Sequence, residues 1–167
     1  LVRSRGLGDV YKRQVIDKFP FHPAGEEAFI HQQSTLVASL SKEDAARALS
    51  ALKKFTGGHK DSRFLSPAYA LMSECHLTLK QPEERLAAEI MALQTQAVDP
   101  TNPLYDNAGT YWKIATIAEF EAGDFPAARK YYRRLIDEYP TDIRKYGAKQ
   151  AILRMEKLEG RLKRSAR

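Results

Sequence analysis

The chain is predicted to be all-α, an array of helical hairpins with a period of forty residues. The first observation is a recurring segment end: VIDKFP and LIDEYP close at Pro20 and Pro140, and the weaker QAVDP closes at Pro100. The second is a column of alanines in the same register, at Ala28, Ala68, Ala108 and Ala148. The third is that apolar residues recur at three- and four-residue steps, as on one helix face, and nowhere alternate as in a half-buried strand.

Short breaks divide each forty-residue unit into two helices. Ser41 in SKED is a predicted N-cap, and Pro82 opens a helix with two acids in its first turn. Gly123 and Asp124 are expected to end one helix and begin the next. The predicted helices are 24–40, 42–56, 66–79, 83–98, 105–121, 125–139 and 142–164.

The last predicted helix is basic and amphipathic. It carries one apolar stripe, formed by Ala148, Ile152, Met155 and Leu162. A repeat array needs a terminal helix with one polar face to cover the open end of its core. Residues 142–167 are therefore predicted to be a C-terminal capping helix with a basic tail. The alternative is that this segment docks on acidic partners or on anionic lipid.

The positive charge is concentrated at the two ends of the chain. The whole sequence has 27 Lys+Arg and 21 Asp+Glu, a net charge of +6, whereas residues 15–159 hold 19 basic and 20 acidic residues. Because a nucleic-acid footprint requires a basic face, no nucleic-acid partner is expected for the body of the chain. No apolar run approaches the roughly 18 residues of a membrane span, so no transmembrane segment is predicted.

No constellation of residues predicts catalysis or a metal site. The four histidines show no metal-ligand spacing, and the chain has one cysteine, Cys75. Cys75 and His76 are adjacent, so a helix would point them about 100° apart. The prediction is a protein that is not an enzyme and that has no cofactor.

The segment YWKIATIAEFEAGDFPAARKYYRRLIDEYP, from Tyr111 to Pro140, resembles a tetratricopeptide repeat. The residues that match the family pattern are Trp112, Gly123, Phe125, Ala128, Tyr132 and Pro140. The departures from it are Ala115, Thr116, Glu119 and Leu135. The units before it keep the pattern of apolar positions and little else.

This resemblance implies a right-handed α-α superhelix of antiparallel hairpins, closed by the capping helix. Residues 24–141 would form three hairpins, at 24–56, 66–98 and 105–139. The implied function is a protein-interaction scaffold or adaptor that binds a protein or peptide segment in its concave groove, without catalysis. Trp112, with Tyr105 and Tyr111, could alternatively form an aromatic patch for a ligand, although core packing is the commoner role of such residues.

The family pattern places the partner-binding groove on the first helix of each hairpin. In the third hairpin it implies Lys113, Ile117, Phe120 and Glu121. The forty-residue register carries these to Ser73, Leu77, Lys80 and Gln81, and to Gln33, Val37, Leu40 and Ser41.

The first fourteen residues, Leu1 to Gln14, resemble a translated sequencing-adapter read-through and are expected not to be native. The alternative is a native basic arm. Residues 15–23 are interpreted as the tail of a truncated preceding repeat. The stretch GDVYKRQVIDKFP, from Gly8 to Pro20, mimics the turn and second helix of a repeat. Its glycine is 12 residues before its proline, five fewer than separate Gly123 from Pro140. The stretch is therefore expected to be helical without being a repeat.

The alternative function is a non-catalytic regulatory or assembly region of a larger protein truncated at its N-terminus. Repeat ends of the xYP type are similar to those of bacterial envelope tetratricopeptide proteins. That similarity favours the periplasm or the outer membrane slightly over the cytoplasm. The oligomeric state and the identity of the partner are left open by the sequence.

Overall fold

A computed structural model describes residues 12–97 and 106–165. Every regular element within these ranges is a helix, and no strand occurs in them, which confirms the predicted all-α class. The helices are α1 (12–18), α2 (Pro23–Val37), α3 (Lys42–Gly58), α4 (Leu65–Leu79), α5 (Pro82–Gln94), α6 (Ala108–Phe120), α7 (Phe125–Glu138) and α8 (Lys145–Ser165). The chain divides into two compact units, Leu1–Ala97 and Val98–Arg167.

The predicted helix starts are set by local capping, as expected. The Ser41 side chain accepts a hydrogen bond from the Asp44 backbone N–H at 3.4 Å. The Asp124 carboxylate accepts one from the Ala127 N–H at 2.9 Å. Each side chain satisfies a first-turn N–H that has no partner within the helix.

Several helix ends differ from the prediction because local groups stop the helix earlier. Helix α2 ends at Val37 rather than at residue 40, since Leu40 adopts a left-handed conformation with φ of 57°. Helix α5 ends at Gln94, and the hydroxyl of Thr95 donates back to the Met91 carbonyl at 2.7 Å. Pro100 and the predicted helix ends at residues 98 and 105 lie outside the described residues.

The core of the N-terminal unit is built by α2, α3, α4 and α5. Helix α4 packs against both α3 and α5, and α2 packs against α3 and α4. The buried apolar cluster consists of Val37, Ala45, Ala48, Leu49, Leu52, Phe55, Ala68, Met72, Cys75 and Ala88. Stacking is required here because one hairpin of two amphipathic helices cannot bury both of its apolar faces.

The C-terminal unit packs α7 against both α6 and α8. Its largest fully buried side chains are Tyr111, Tyr132, Ile114, Leu135 and Met155. The hydroxyl of Tyr132 donates to the buried Glu119 carboxylate at 2.9 Å, and the Arg154 guanidinium of α8 binds the same carboxylate. Gly147 lies directly against Trp112, since a Cβ at Gly147 would be 2.9 Å from the indole ring.

Alanines at a spacing of forty residues are buried where helices approach closely. Ala68, Ala108 and Ala148 of the predicted column have no exposed surface, whereas Ala28 is half-buried. The second helices carry another such column, which the sequence analysis missed: Ala48, Ala88 and Ala128. The division of residues 24–141 into three repeats rests on this register and stays a proposal.

Lys80 ends α4 in the left-handed conformation, with φ of 58° and ψ of 47°. A side chain there strains the backbone by roughly 1–2 kcal/mol, which glycine relieves at some cost in unfolded-state entropy. We expect Lys80→Gly to raise the free energy of unfolding in urea by about 0.5–1 kcal/mol.

The matched control is Lys53→Gly, at an exposed position inside α3. This change should lower the free energy of unfolding by about 1 kcal/mol, since glycine weakens a helix interior. Equal losses in both variants would contradict the left-handed cap at Lys80.

Candidate interaction surfaces

The predicted groove residues of the N-terminal unit divide into buried and exposed sets. Gln33 and Val37 are buried on α2, and Ser73 is fully buried on α4, where its hydroxyl donates to Glu89 of α5 at 2.6 Å. Leu77 remains 45% exposed and Gln81 is exposed, with its side-chain oxygen 2.7 Å from Nδ1 of His76.

The residues just after the first helices have mixed roles. Ser41 is the N-cap of α3, Lys80 ends α4, and Leu40 precedes Ser41 with 77% of its surface exposed. Leu40 and Leu77 are therefore the large apolar side chains that the predicted groove set exposes in the N-terminal unit.

The predicted groove residues of the C-terminal unit lie on or just after α6. Ile117 is 2% exposed and Lys113 is half-buried, whereas Phe120 is 68% exposed and Glu121 is also exposed. The Arg154 guanidinium lies 5.3 Å from the centre of the Phe120 ring. The geometry is that of a cation–π contact, so Arg154 of α8 covers part of one face of this ring.

Four of the predicted groove positions are thus packing positions. Gln33 and Ser73 occupy the same place in the forty-residue register, and both are buried. Ser73 points towards α5, where its hydroxyl donates to the buried Glu89 carboxylate. The assignment of Ser73, Gln33, Val37 and Ile117 as partner contacts is corrected, since a partner cannot reach side chains that the chain already covers.

Comparison with known proteins finds a repeat in the third hairpin. A family model described as a tetratricopeptide repeat matches residues 110–142, which span α6 and α7. Residues 110–142 are therefore similar to a tetratricopeptide repeat, in agreement with the resemblance seen in the sequence. No curated protein matches the sequence.

The tetratricopeptide assignment also agrees with a solved structure. The crystal structure of MamA is similar to this chain with a TM-score of 0.57 and 20% sequence identity. The similarity covers 95% of this chain and 82% of the MamA chain. At that level of identity the comparison shows the fold alone, an all-helical tetratricopeptide-like arrangement.

The residues that carry the tetratricopeptide likeness lie partly in the core and partly at turns. Ala128 and Tyr132 are buried on α7, and Trp112 packs edge-to-face on Tyr132 with ring centres 5.4 Å apart. Gly123 adopts the left-handed conformation, with φ of 68°, that the turn requires. Phe125 begins α7 and is half-buried, while Pro140 is exposed after the helix ends.

Tyr111 belongs to the packing of this unit and not to an open aromatic patch. Its ring is 2% exposed, and its hydroxyl donates to Glu138 at 2.7 Å. Burial, followed by the hydrogen bond to Glu138, raises the pKa of Tyr111 well above its usual range. Burial likewise raises the pKa of Tyr132, with Glu119 adding to the effect. Tyr105 lies outside the described residues.

The titratable side chains do not converge on a reactive centre in the described part of the chain. Within residues 12–97 and 106–165, no group of three or more His, Cys, Asp or Glu could hold a metal ion. In the same ranges, no helix has the length and apolarity that a membrane crossing requires. The tetratricopeptide fold is typically a non-catalytic interaction module, and it implies protein partners.

Cys75 has no exposed surface, and burial raises the pKa of its thiol to about 11, with the charge of Glu74 as a second cause.

Thiolate is the reactive form, so at pH 8 the folded chain should hold about 100-fold less thiolate than an unfolded chain. We expect a thiol reagent to modify the native protein at least about 100-fold more slowly than the urea-unfolded protein. Since the chain has one cysteine, the unfolded chain is its own control, and equal rates would contradict the burial of Cys75.

Proposed function

We propose that this protein is an interaction scaffold that binds a partner protein segment on the outward faces of its first helices, without catalysis. The first helices are α2, α4 and α6. The observation that carries the proposal is a large exposed apolar side chain at or just after the C-terminal end of each, namely Leu40, Leu77 and Phe120. Leu40 and Phe120 share one place in the forty-residue register, and Leu77 lies three residues before that place on α4. Exposed apolar side chains of this kind are suited, in each unit, to a partner that covers them.

In the N-terminal unit the proposed surface contains Leu40 and Leu77, with Ser41 and Gln81 beside them in sequence. Covering an exposed leucine releases about 25 cal/mol for each Å² of apolar surface removed from water. The flanking polar groups supply hydrogen-bonding partners at the rim, as interfaces commonly do. The helices that present these residues also share the buried core of the unit, so the surface is supported by packed elements.

In the C-terminal unit the proposed surface is centred on Phe120. The ring is exposed on one side and lies against the Arg154 guanidinium on another. Arg154 is itself held by the buried Glu119 carboxylate, which also accepts from Tyr132. Aromatic and arginine side chains held in a fixed arrangement are typical of residues that dominate binding energy. Lys113 and Glu121 flank this surface along α6 and are assigned the rim.

The test is capture from a native lysate by the full chain, followed by quantitative mass spectrometry. We expect Phe120→Ser and Leu77→Ser each to reduce the captured partner by at least about tenfold, since central apolar contacts carry most binding energy. Lys113→Ala and Glu121→Ala should have smaller effects, of about two- to fivefold, because rim charges contribute less.

The matched control is Leu162→Ser, which removes a side chain of similar exposure from α8. The control should capture the same partner as the unchanged protein. Circular dichroism should show that all variants keep their helix content. Identical capture by the Phe120→Ser, Leu77→Ser and Leu162→Ser variants would refute the proposed faces.

A further inference from the structure

The outer side of α8 exposes three large apolar residues that the first-helix surfaces do not use. Ile143, just before the helix, is 93% exposed, Tyr146 is 73% exposed and Leu153 is 57% exposed. Tyr146 and Leu153 are seven residues apart, which places them on one line of the helix surface, and Ile143 lies in the turn that leads into the helix. This line is opposite the buried face formed by Ala148, Ala151 and Met155. We call the line, with the lysines that flank it, the outer face of α8.

The outer face is strongly basic. Residues 143–164 hold eight Lys and Arg against two acidic residues, Glu156 and Glu159, and two of the eight, Arg144 and Arg154, pair with Asp142 and Glu119. Glu159 is paired with Arg129 of α7 at 2.9 Å, so it does not offset the charge of the outer face. Lys149 and Lys157 are exposed beside the apolar residues. The arrangement is an apolar line with positive charge on its flanks.

Ion pairs tie helix α8 to α6 and α7 and set the orientation of this face. Arg154 binds the buried Glu119 carboxylate of α6, and Arg129 of α7 binds Glu159. Before the helix begins, the Asp142 carboxylate accepts from both the backbone N–H and the guanidinium of Arg144. Those hydrogen bonds, the side-chain one first, lower the pKa of Asp142 to about 2, so the carboxylate is charged at neutral pH. A pre-ordered surface avoids much of the entropy cost of binding.

We propose that the outer face of α8 binds an acidic amphipathic helical segment of a partner protein. Charge complementarity favours a negatively charged partner, since carboxylates on the segment would meet Lys149 and Lys157. The apolar line favours a helical partner. Apolar side chains at three- and four-residue steps on a second helix form a matching line that can pack against it.

Two other occupants fit the face less well. A second copy of this chain would bring two basic surfaces together, and like charges oppose that contact. A lipid surface would require a broad apolar face, whereas polar Gln150 lies between Tyr146 and Leu153 and lysines flank the line. The line is therefore narrow and suited to one helix.

The proposal is tested with a labelled synthetic helical peptide that carries Leu at three- and four-residue steps and Glu elsewhere. Fluorescence anisotropy with the full chain should show saturable binding that weakens as salt is raised. A peptide with Lys in place of Glu should not bind. The Tyr146→Ser, Leu153→Ser double variant should bind at least about tenfold more weakly, since the apolar contacts are lost.

The charge variant is Lys149→Glu with Lys157→Glu, which should weaken binding of the Glu/Leu peptide by about tenfold or more at low salt. Its matched control is Lys130→Glu with Arg133→Glu, which reverses two charges on the exposed side of α7 and should bind like the unchanged chain. Equal weakening in both charge variants, or no effect of the Tyr146 and Leu153 changes, would overturn the proposal.

Two further measurements identify the competing occupants. Vesicles of mixed phosphatidylserine and phosphatidylcholine should not bind the chain through Tyr146 and Leu153. Sedimentation equilibrium should show no self-association that these substitutions abolish. If the Glu/Leu peptide does not bind, vesicle binding through these residues overturns the proposal in favour of a membrane. Self-association that the substitutions abolish overturns it in favour of a second copy. These readouts involve α8 alone, so they are independent of the first-helix surfaces.

Discussion

The close approach of neighbouring helices at alanine is the constraint on which the rest of this structure depends. The alanines of the second helices, Ala48, Ala88 and Ala128, are at most 5% exposed, and Ala68 and Ala108 of the first helices are fully buried. Interaxial distances depend on the side chains at the contact, and methyl groups allow the shortest ones. Since the same register recurs every forty residues, the packing faces of the helices are fixed, and the opposite faces are left to solvent or to partners.

Buried carboxylates add a directional constraint to this packing. Glu89 accepts from Ser73 in the N-terminal unit, and Glu119 accepts from Tyr132 and Arg154 in the C-terminal unit. Removing one partner of a buried charged hydrogen bond is costly, because the remaining group stays desolvated. Glu119 therefore links α6, α7 and α8, and it also sets the position of the guanidinium beside Phe120.

The sequence could predict the helices and their period because those features are local or repetitive. Prolines, caps at Ser41 and Asp124, and the alanine register are all visible without knowledge of the fold. The third hairpin could be recognised from its Gly123 turn and its aromatic positions, and the family model matches the same region.

The direction in which individual side chains point could not be predicted in the same way. The forty-residue register predicts Ser73 in a groove, but its hydroxyl pairs with the buried Glu89 on the facing helix, and nothing local in the sequence signals that pairing. The stripe predicted for α8 is buried at Ala148 and Met155, yet Leu162 stays 66% exposed. The exposed line of Ile143, Tyr146 and Leu153 depends on which side of α8 meets α7, a question of tertiary contact.

The most direct test compares two adjacent alanines of α5. Ala88 is 5% exposed at the helix contact, and Ala87 is exposed on the other side of the same helix. Unfolding in urea should show that Ala88→Leu loses about 1–3 kcal/mol through overpacking, while Ala87→Leu changes stability by less than about 0.5 kcal/mol. An Ala88→Leu protein as stable as the Ala87→Leu protein would contradict the claim that close alanine contacts organise these hairpins.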